Sequence, residues 1–169
     1  FEEDFLGNIE EAIGDRHIDY LVVNHMEPDH SSLISYMQGR YPGSMLVANA
    51  KTVPMLKGYY GVSEEDVLVM PDGGGLSLGS CSLKFHMIPM VHWPETMVTW
   101  LEEEGTLFSG DAFGTFGSID EGVIDDEDTF GQFRDEMTRY YACIVGKYGV
   151  PVQTALKKLG GLPIKRVCS

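Results

Sequence analysis

Apolar side chains recur along the chain at two spacings, and the switches between them divide it into helices and strands. Phe1, Phe5, Leu6, Ile9, Ala12 and Ile13 repeat at helical steps ahead of Gly14, which predicts an amphipathic helix over 2–13 with an acidic outer face. The apolar run 18–23 ends at Asn24 and suits a buried strand that releases the chain into a functional loop. Ser31 or Ser32 is placed to cap a helix reaching about residue 39, Tyr41-Pro42-Gly43 breaks it, and Met45–Ala48 returns as a strand. Thr52 and Pro54 open a further helix that Gly61 ends, and residues 66–70 form the next strand. This β-α-β rhythm implies parallel strands joined by crossover helices.

Beyond Asp72 the rhythm changes. A glycine turn at 73–75 leads into short strands at 76–78, 82–88, 96–101 and 106–109, with Glu104-Gly105 as a tight hairpin turn. The glycine triplet lacks the spacing and the following helix of a phosphate loop. Phe130, Phe133, Met137, Tyr140, Tyr141 and Ile144 recur at mostly helical steps and predict a long helix over 125–147. A second helix at 151–159 and a final strand at 164–168 complete an α/β domain.

Between the first strand and the helix after it stands His25-Met26-Glu27-Pro28-Asp29-His30. His25, Glu27 and Asp29 alternate, and in extended backbone alternate side chains point the same way. Pro28 restricts the chain between Glu27 and Asp29. Two later segments repeat the placement of a metal-competent residue just past an apolar strand: His92 in Val91-His92-Trp93-Pro94, and Asp111 at the end of Leu107-Phe108-Ser109-Gly110-Asp111. Ligands at several strand ends converge on one face of a sheet. Each segment alone is ordinary, and together they point to a metal centre.

Composition narrows the partners. The 169 residues carry 26 acidic against 12 basic side chains, a formal charge of −14, which repels phosphate backbones and anionic lipid; nucleic acid and membrane are not expected partners. No apolar run approaches the roughly 18–20 residues of a membrane span. Cys81, Cys143 and Cys168 are odd in number and widely spaced, as expected for reduced thiols in a cytoplasmic protein.

The three segments resemble the metallo-β-lactamase superfamily, whose hydrolases carry HxHxDH, then a lone His, then an Asp, then a last His. Here Glu27 stands at the second His. With His-Trp-Pro-Glu at 92–95 and Phe-Ser-Gly-Asp-Ala-Phe-Gly at 108–114, the pattern is similar to that of the flavodiiron proteins, over nearly the whole chain. A carboxylate in place of an imidazole adds charge and a harder donor, which favours iron cycling between ferrous and ferric states.

The resemblance implies a metallo-β-lactamase-like αββα sandwich over 1–169. It also implies a two-iron site in which His25, Glu27 and His92 hold one iron, Asp29 holds the other and Asp111 bridges. His30 is implied as an adjacent position outside the firm ligand set, Trp93 as a brace for His92, and either Tyr140 or Tyr141 as a hydroxyl near the irons. It implies reduction of dioxygen to water or of nitric oxide to nitrous oxide, with electrons from flavin mononucleotide on a separate flavodoxin-like domain, a rubredoxin-like or other donor, and a head-to-tail homodimer.

The family also supplies a last histidine after a short strand, and several opening strands. The chain begins at Phe1 and ends at Ser169, so the expectation is an incomplete sandwich cut from a longer enzyme and inactive alone, because neither His17 nor His86 suits the missing place. Two other readings stand beside this one. One is a zinc-dependent hydrolase of the same fold, in which a metal-bound hydroxide attacks an ester-like substrate; the other is a fragment that binds metal poorly.

Overall fold

In the strand Met45–Ala48, Leu46 and Ala48 face one hydrophobic cluster while Val47, between them, faces another. A strand buried on both faces must lie inside a layered stack. The computed structural model describes residues 2–118 and 127–169. Among these, the first sheet is parallel, formed by β1 (Tyr20–Val22), β2 (Met45–Ala48) and β3 (Val67–Val69) in that order. The second runs β4 (Gly75–Ser77), β5 (Ser82–Met87), β6 (Met97–Leu101), β7 (Thr106–Phe108) and β8 (Arg166–Cys168). Its first four strands are antiparallel, and β8 pairs parallel with β7.

The sheets meet through Val47 and Met70 on one side and Leu83, Phe85 and Met97 on the other. Helices cover both outer faces. On the first sheet, Ile34 of α3 (Ile34–Arg40) and Leu56 of α4 (Thr52–Tyr60) pack on Leu46, Ala48 and Val67. On the second, Ala155 and Leu159 of α6 (Gly149–Leu159) pack on Val98, Trp100 and Leu107. The order is helix, sheet, sheet, helix, as the resemblance implies. The opening helix α1 (Glu2–Ile13) lies where its periodicity placed it, with Leu6, Ile9 and Ile13 half-buried and Glu10 paired to Arg40. Gly61 closes α4 in the left-handed conformation (φ 68°), where a side chain would be strained. No helix among the described residues is long and apolar enough to cross a membrane.

Two expectations change. Neither serine caps the helix after the His25 loop, because the chain already turns helical at α2 (Pro28–Ser31), and the Ser31 hydroxyl instead donates to the Met26 carbonyl at 3.0 Å. The long helix over 125–147 is in fact α5 (Glu127–Tyr140) followed by a wider π turn (Tyr141–Val145) and a 3₁₀ turn (Gly146–Tyr148); residues 125 and 126 lie outside the described residues. Its apolar positions kept a helical rhythm throughout, so periodicity could not reveal the change of winding.

Phe85 is fully buried between the sheets. Replacing it with alanine is expected to lower stability by about 3–5 kcal/mol in denaturant titrations, through the cavity left at the inter-sheet contact.

Candidate metal centre

At the exit of β1, Asn24 ties the first sheet to β6 and β7 of the second. Its carbonyl accepts from the Met97 N–H at 3.0 Å, its amide donates to the Phe108 carbonyl at 3.2 Å, and its side-chain oxygen accepts from the Thr99 hydroxyl at 2.7 Å. The residues just past the ends of β1, β5 and β7 are His25, His92 and Asp111. With Glu27 they form a group whose ligand atoms all lie within 4.8 Å of one another.

Within it, His92 Nε2 is 3.0 Å from a Glu27 oxygen and 2.9 Å from Asp111 Oδ2. His25 Nε2 is 3.3 Å from each of the same two oxygens. The other oxygen of Asp111, Oδ1, accepts from His30 Nε2 at 2.7 Å. Asp111 therefore faces His25 and His92 with one oxygen and His30 with the other.

Asp29 is not part of the group of four. Its side chain is 72% exposed and its nearest imidazole is His30, at 3.7 Å. The alternation expected of an extended loop stops at Pro28, where the Glu27 carbonyl begins accepting from the His30 and Ser31 N–H groups and the backbone winds into α2. A helical turn rotates successive side chains by about 100°, so Asp29 leaves the direction shared by His25 and Glu27.

Trp93 stands edge-on to His25 at 5.2 Å and to His92 at 6.2 Å, and so braces two rings. Tyr140 and Tyr141 separate clearly. Tyr141 is exposed, whereas the Tyr140 ring lies under Gly114, where a Cβ would come within 3.0 Å of both Tyr140 Cζ and the Asp111 carbonyl. Burial, and then the negative charges of Asp111, Glu27 and Asp29, push the Tyr140 hydroxyl up to about 12. His17 instead packs edge-on to Tyr41, and His86 lies on β5.

One participant escaped the sequence reading. Glu95 is 1% exposed, and its Oε1 accepts both from His25 Nδ1 at 2.8 Å and from the Met26 N–H at 3.0 Å. The only signal was its place in His-Trp-Pro-Glu, since a carboxylate three residues from a candidate ligand looks like any turn residue.

The donor set fits a cation. Carboxylates this close repel one another unless positive charge lies between them, and in the metal-free protein the histidines supply it. Burial disfavours a proton on His25, but hydrogen bonds and charge from Asp111 and Glu95 outweigh it and push the group up to about 10. His30 is raised by its hydrogen bond to Asp111, against the effect of burial. Burial alone would raise Asp111, yet the hydrogen bonds from His25 and His30 hold it well below the usual carboxylate range.

An αββα sandwich with histidines and carboxylates gathered at its strand exits defines a metal domain of the metallo-β-lactamase class. Residues 2–169 match the family described as "ODP family beta lactamase", and the chain belongs to that family. It is 31% identical, over its whole length, to an anaerobic nitric oxide reductase flavorubredoxin of Aeromonas hydrophila, and covers 34% of that protein. Among solved structures it is similar to a flavoprotein from Thermotoga maritima (TM-score 0.89, 30% identity, 98% of this chain and 40% of that one). It is also similar to rubredoxin oxygen:oxidoreductase from Desulfovibrio gigas (TM-score 0.90, 27% identity, 99% and 42%). The chain thus spans well under half the length of these relatives.

Since His25 holds its proton up to about pH 10 in the metal-free site, a cation must displace it. Affinity is expected to rise about tenfold per pH unit between about pH 6 and about pH 8, one proton being released per ion bound. Zinc titration against a competing chelator at several pH values reads this slope, and a flat profile would mean that His25 is neutral before metal binds.

Proposed function

We propose that this chain is the diiron domain of a flavodiiron oxidoreductase that reduces dioxygen to water, nitric oxide to nitrous oxide, or both. The observation that carries the reading is the two-sided placement of Asp111, one oxygen toward His25 and His92 and the other toward His30. An aspartate with one oxygen on each of two sides suits a pair of metal ions.

In this reading residues 1–169 act as one domain. His25, Glu27, His92 and Asp111 would hold one iron, and Asp111 would also serve the second. Asp29, swung outward in α2, and His30 flank that second position. Ser169 lines a cavity of about 240 Å³ together with His25 and His30. When bound, a pair of irons supplies open coordination positions and the electron transfers that gas reduction requires.

The chain's own residues prepare that chemistry. Glu27 contributes a hard, charged donor where the related hydrolases carry an imidazole, which favours a metal that changes oxidation state. Trp93 holds two ligand rings in place. Tyr140, which keeps its proton far above neutral pH, presents a hydroxyl donor beside the carboxylates, and we assign the hydrogen bond to a bound reactant to it rather than to Tyr141. Electrons come from flavin mononucleotide on a flavodoxin-like domain, recharged by a rubredoxin-like or other donor. A head-to-tail homodimer brings flavin to metal, and the protein works in the cytoplasm, where Cys81, Cys143 and Cys168 stay as free thiols.

Elemental analysis of the full-length parent protein, purified anaerobically, is expected to find close to two irons per chain, lost in Asp111→Ala. Zinc in their place, unchanged by Glu27→His, would overturn the reading in favour of a hydrolase. Tyr140→Phe is expected to slow gas reduction about tenfold, the worth of one hydrogen bond of about 1.4 kcal/mol. Tyr141→Phe should leave the rate unchanged in the same oxygen- and nitric-oxide-electrode assays.

A further inference from the structure

Glu95 is among the most deeply buried carboxylates in the chain, and it is not one of the four converging ligands. It sits behind one of them. Its Oε1 takes the His25 Nδ1–H at 2.8 Å, on the side of the ring away from the cluster, while His25 Nε2 faces Glu27 and Asp111. The same oxygen takes the Met26 N–H at 3.0 Å. The Glu95 backbone is anchored in turn, its carbonyl accepting from the Asn49 amide at 2.6 Å at the end of β2, with Lys51 Nζ on the neighbouring Pro94 carbonyl at 3.2 Å. The loop that carries His92 is thereby locked to the loop that carries His25.

This arrangement does not require a charge. Glu95 Oε2 is buried with no hydrogen-bond partner among the described residues, so the carboxylate bears a desolvation cost that only one of its oxygens offsets. A glutamine would accept both N–H groups with the same oxygen and fill the same space. Shape therefore leaves the charge unexplained.

The metal site explains it. A carboxylate on Nδ1–H fixes the tautomer that leaves Nε2 free to coordinate and raises the basicity of that nitrogen. Its negative charge, one imidazole away, favours the more positive oxidation state of a metal bound at Nε2. We propose that Glu95 is a positioning residue that sets the donor strength of His25, and with it the affinity and the reduction potential of the metal at that ligand. The potential rests on the diiron reading above; the affinity does not.

The test separates charge from shape. Metal-free protein is titrated with cobalt(II), read by its visible absorption, in the wild type, in the isosteric Glu95→Gln and in Glu95→Asp, which keeps the charge on a shorter arm. Circular dichroism controls the fold. The expected order of affinity is wild type, then Asp, then Gln, with the amide weaker than wild type by about 10–100-fold. In the iron-loaded protein, Glu95→Gln is expected to shift the midpoint potential upward, because the oxidised state loses a compensating charge; a merely structural role would not move it in this way. Wild-type cobalt affinity in Glu95→Gln, an Asp variant weaker than the Gln variant, or an unchanged potential overturns the proposal. A full-length wild-type protein that binds cobalt but takes up no iron sinks the diiron reading instead, and the cobalt order still decides the role of Glu95.

Discussion

Asn24 is the point on which the metal end of the domain depends. A parallel sheet and a largely antiparallel one have no backbone ladder in common, so something other than β pairing must hold their ends in register. Asn24 does so with three hydrogen bonds, to the backbones of β6 and β7 and to the Thr99 hydroxyl of β6. Its carbonyl and both polar atoms of its side chain serve the junction. Because His25 follows directly and Asp111 stands three residues beyond Phe108, the registration of the sheets is also the registration of the ligands.

What is gathered there is electrostatically unfavourable by itself. Glu27 and Asp111 place oxygens about 3 Å from the same His92 nitrogen, and the site is half-enclosed, so water screens it only in part. The folded domain supplies the missing positive charge with protons on imidazoles, and a metal ion takes over that role. The construction behind the ligands serves the same end. Trp93 limits the rings of His25 and His92, Glu95 orients His25, and Gly114 lets Tyr140 lie against the Asp111 loop. Packing energy from the three hydrophobic clusters keeps these groups close despite their mutual repulsion.

Much of this was legible in the chain itself. Short apolar runs bounded by glycine and proline marked the strands to within a residue or two, since burial on both faces demands uninterrupted apolar character. Metal-competent residues immediately past three such runs singled out His25, Glu27, His92 and Asp111, because chemistry in a sheet-based fold gathers at strand ends. Local pattern could also say where α4 stops, since Gly61 alone among its neighbours accepts a left-handed backbone without strain.

Other features were decided only in three dimensions. The direction of Asp29 depends on where the backbone leaves the extended conformation, and that is set by the Glu27 carbonyl finding partners in the next turn. The separation of Tyr140 from Tyr141 depends on which one meets the Asp111 loop where α5 gives way to the π turn. The importance of Glu95 exists only because residues 70 apart meet at one imidazole. Sequence alone determined which residue types stand at strand ends, because burial and turn chemistry are local. Which of them face one another is a property of packed layers, whose hydrogen bonds join positions that no spacing rule connects.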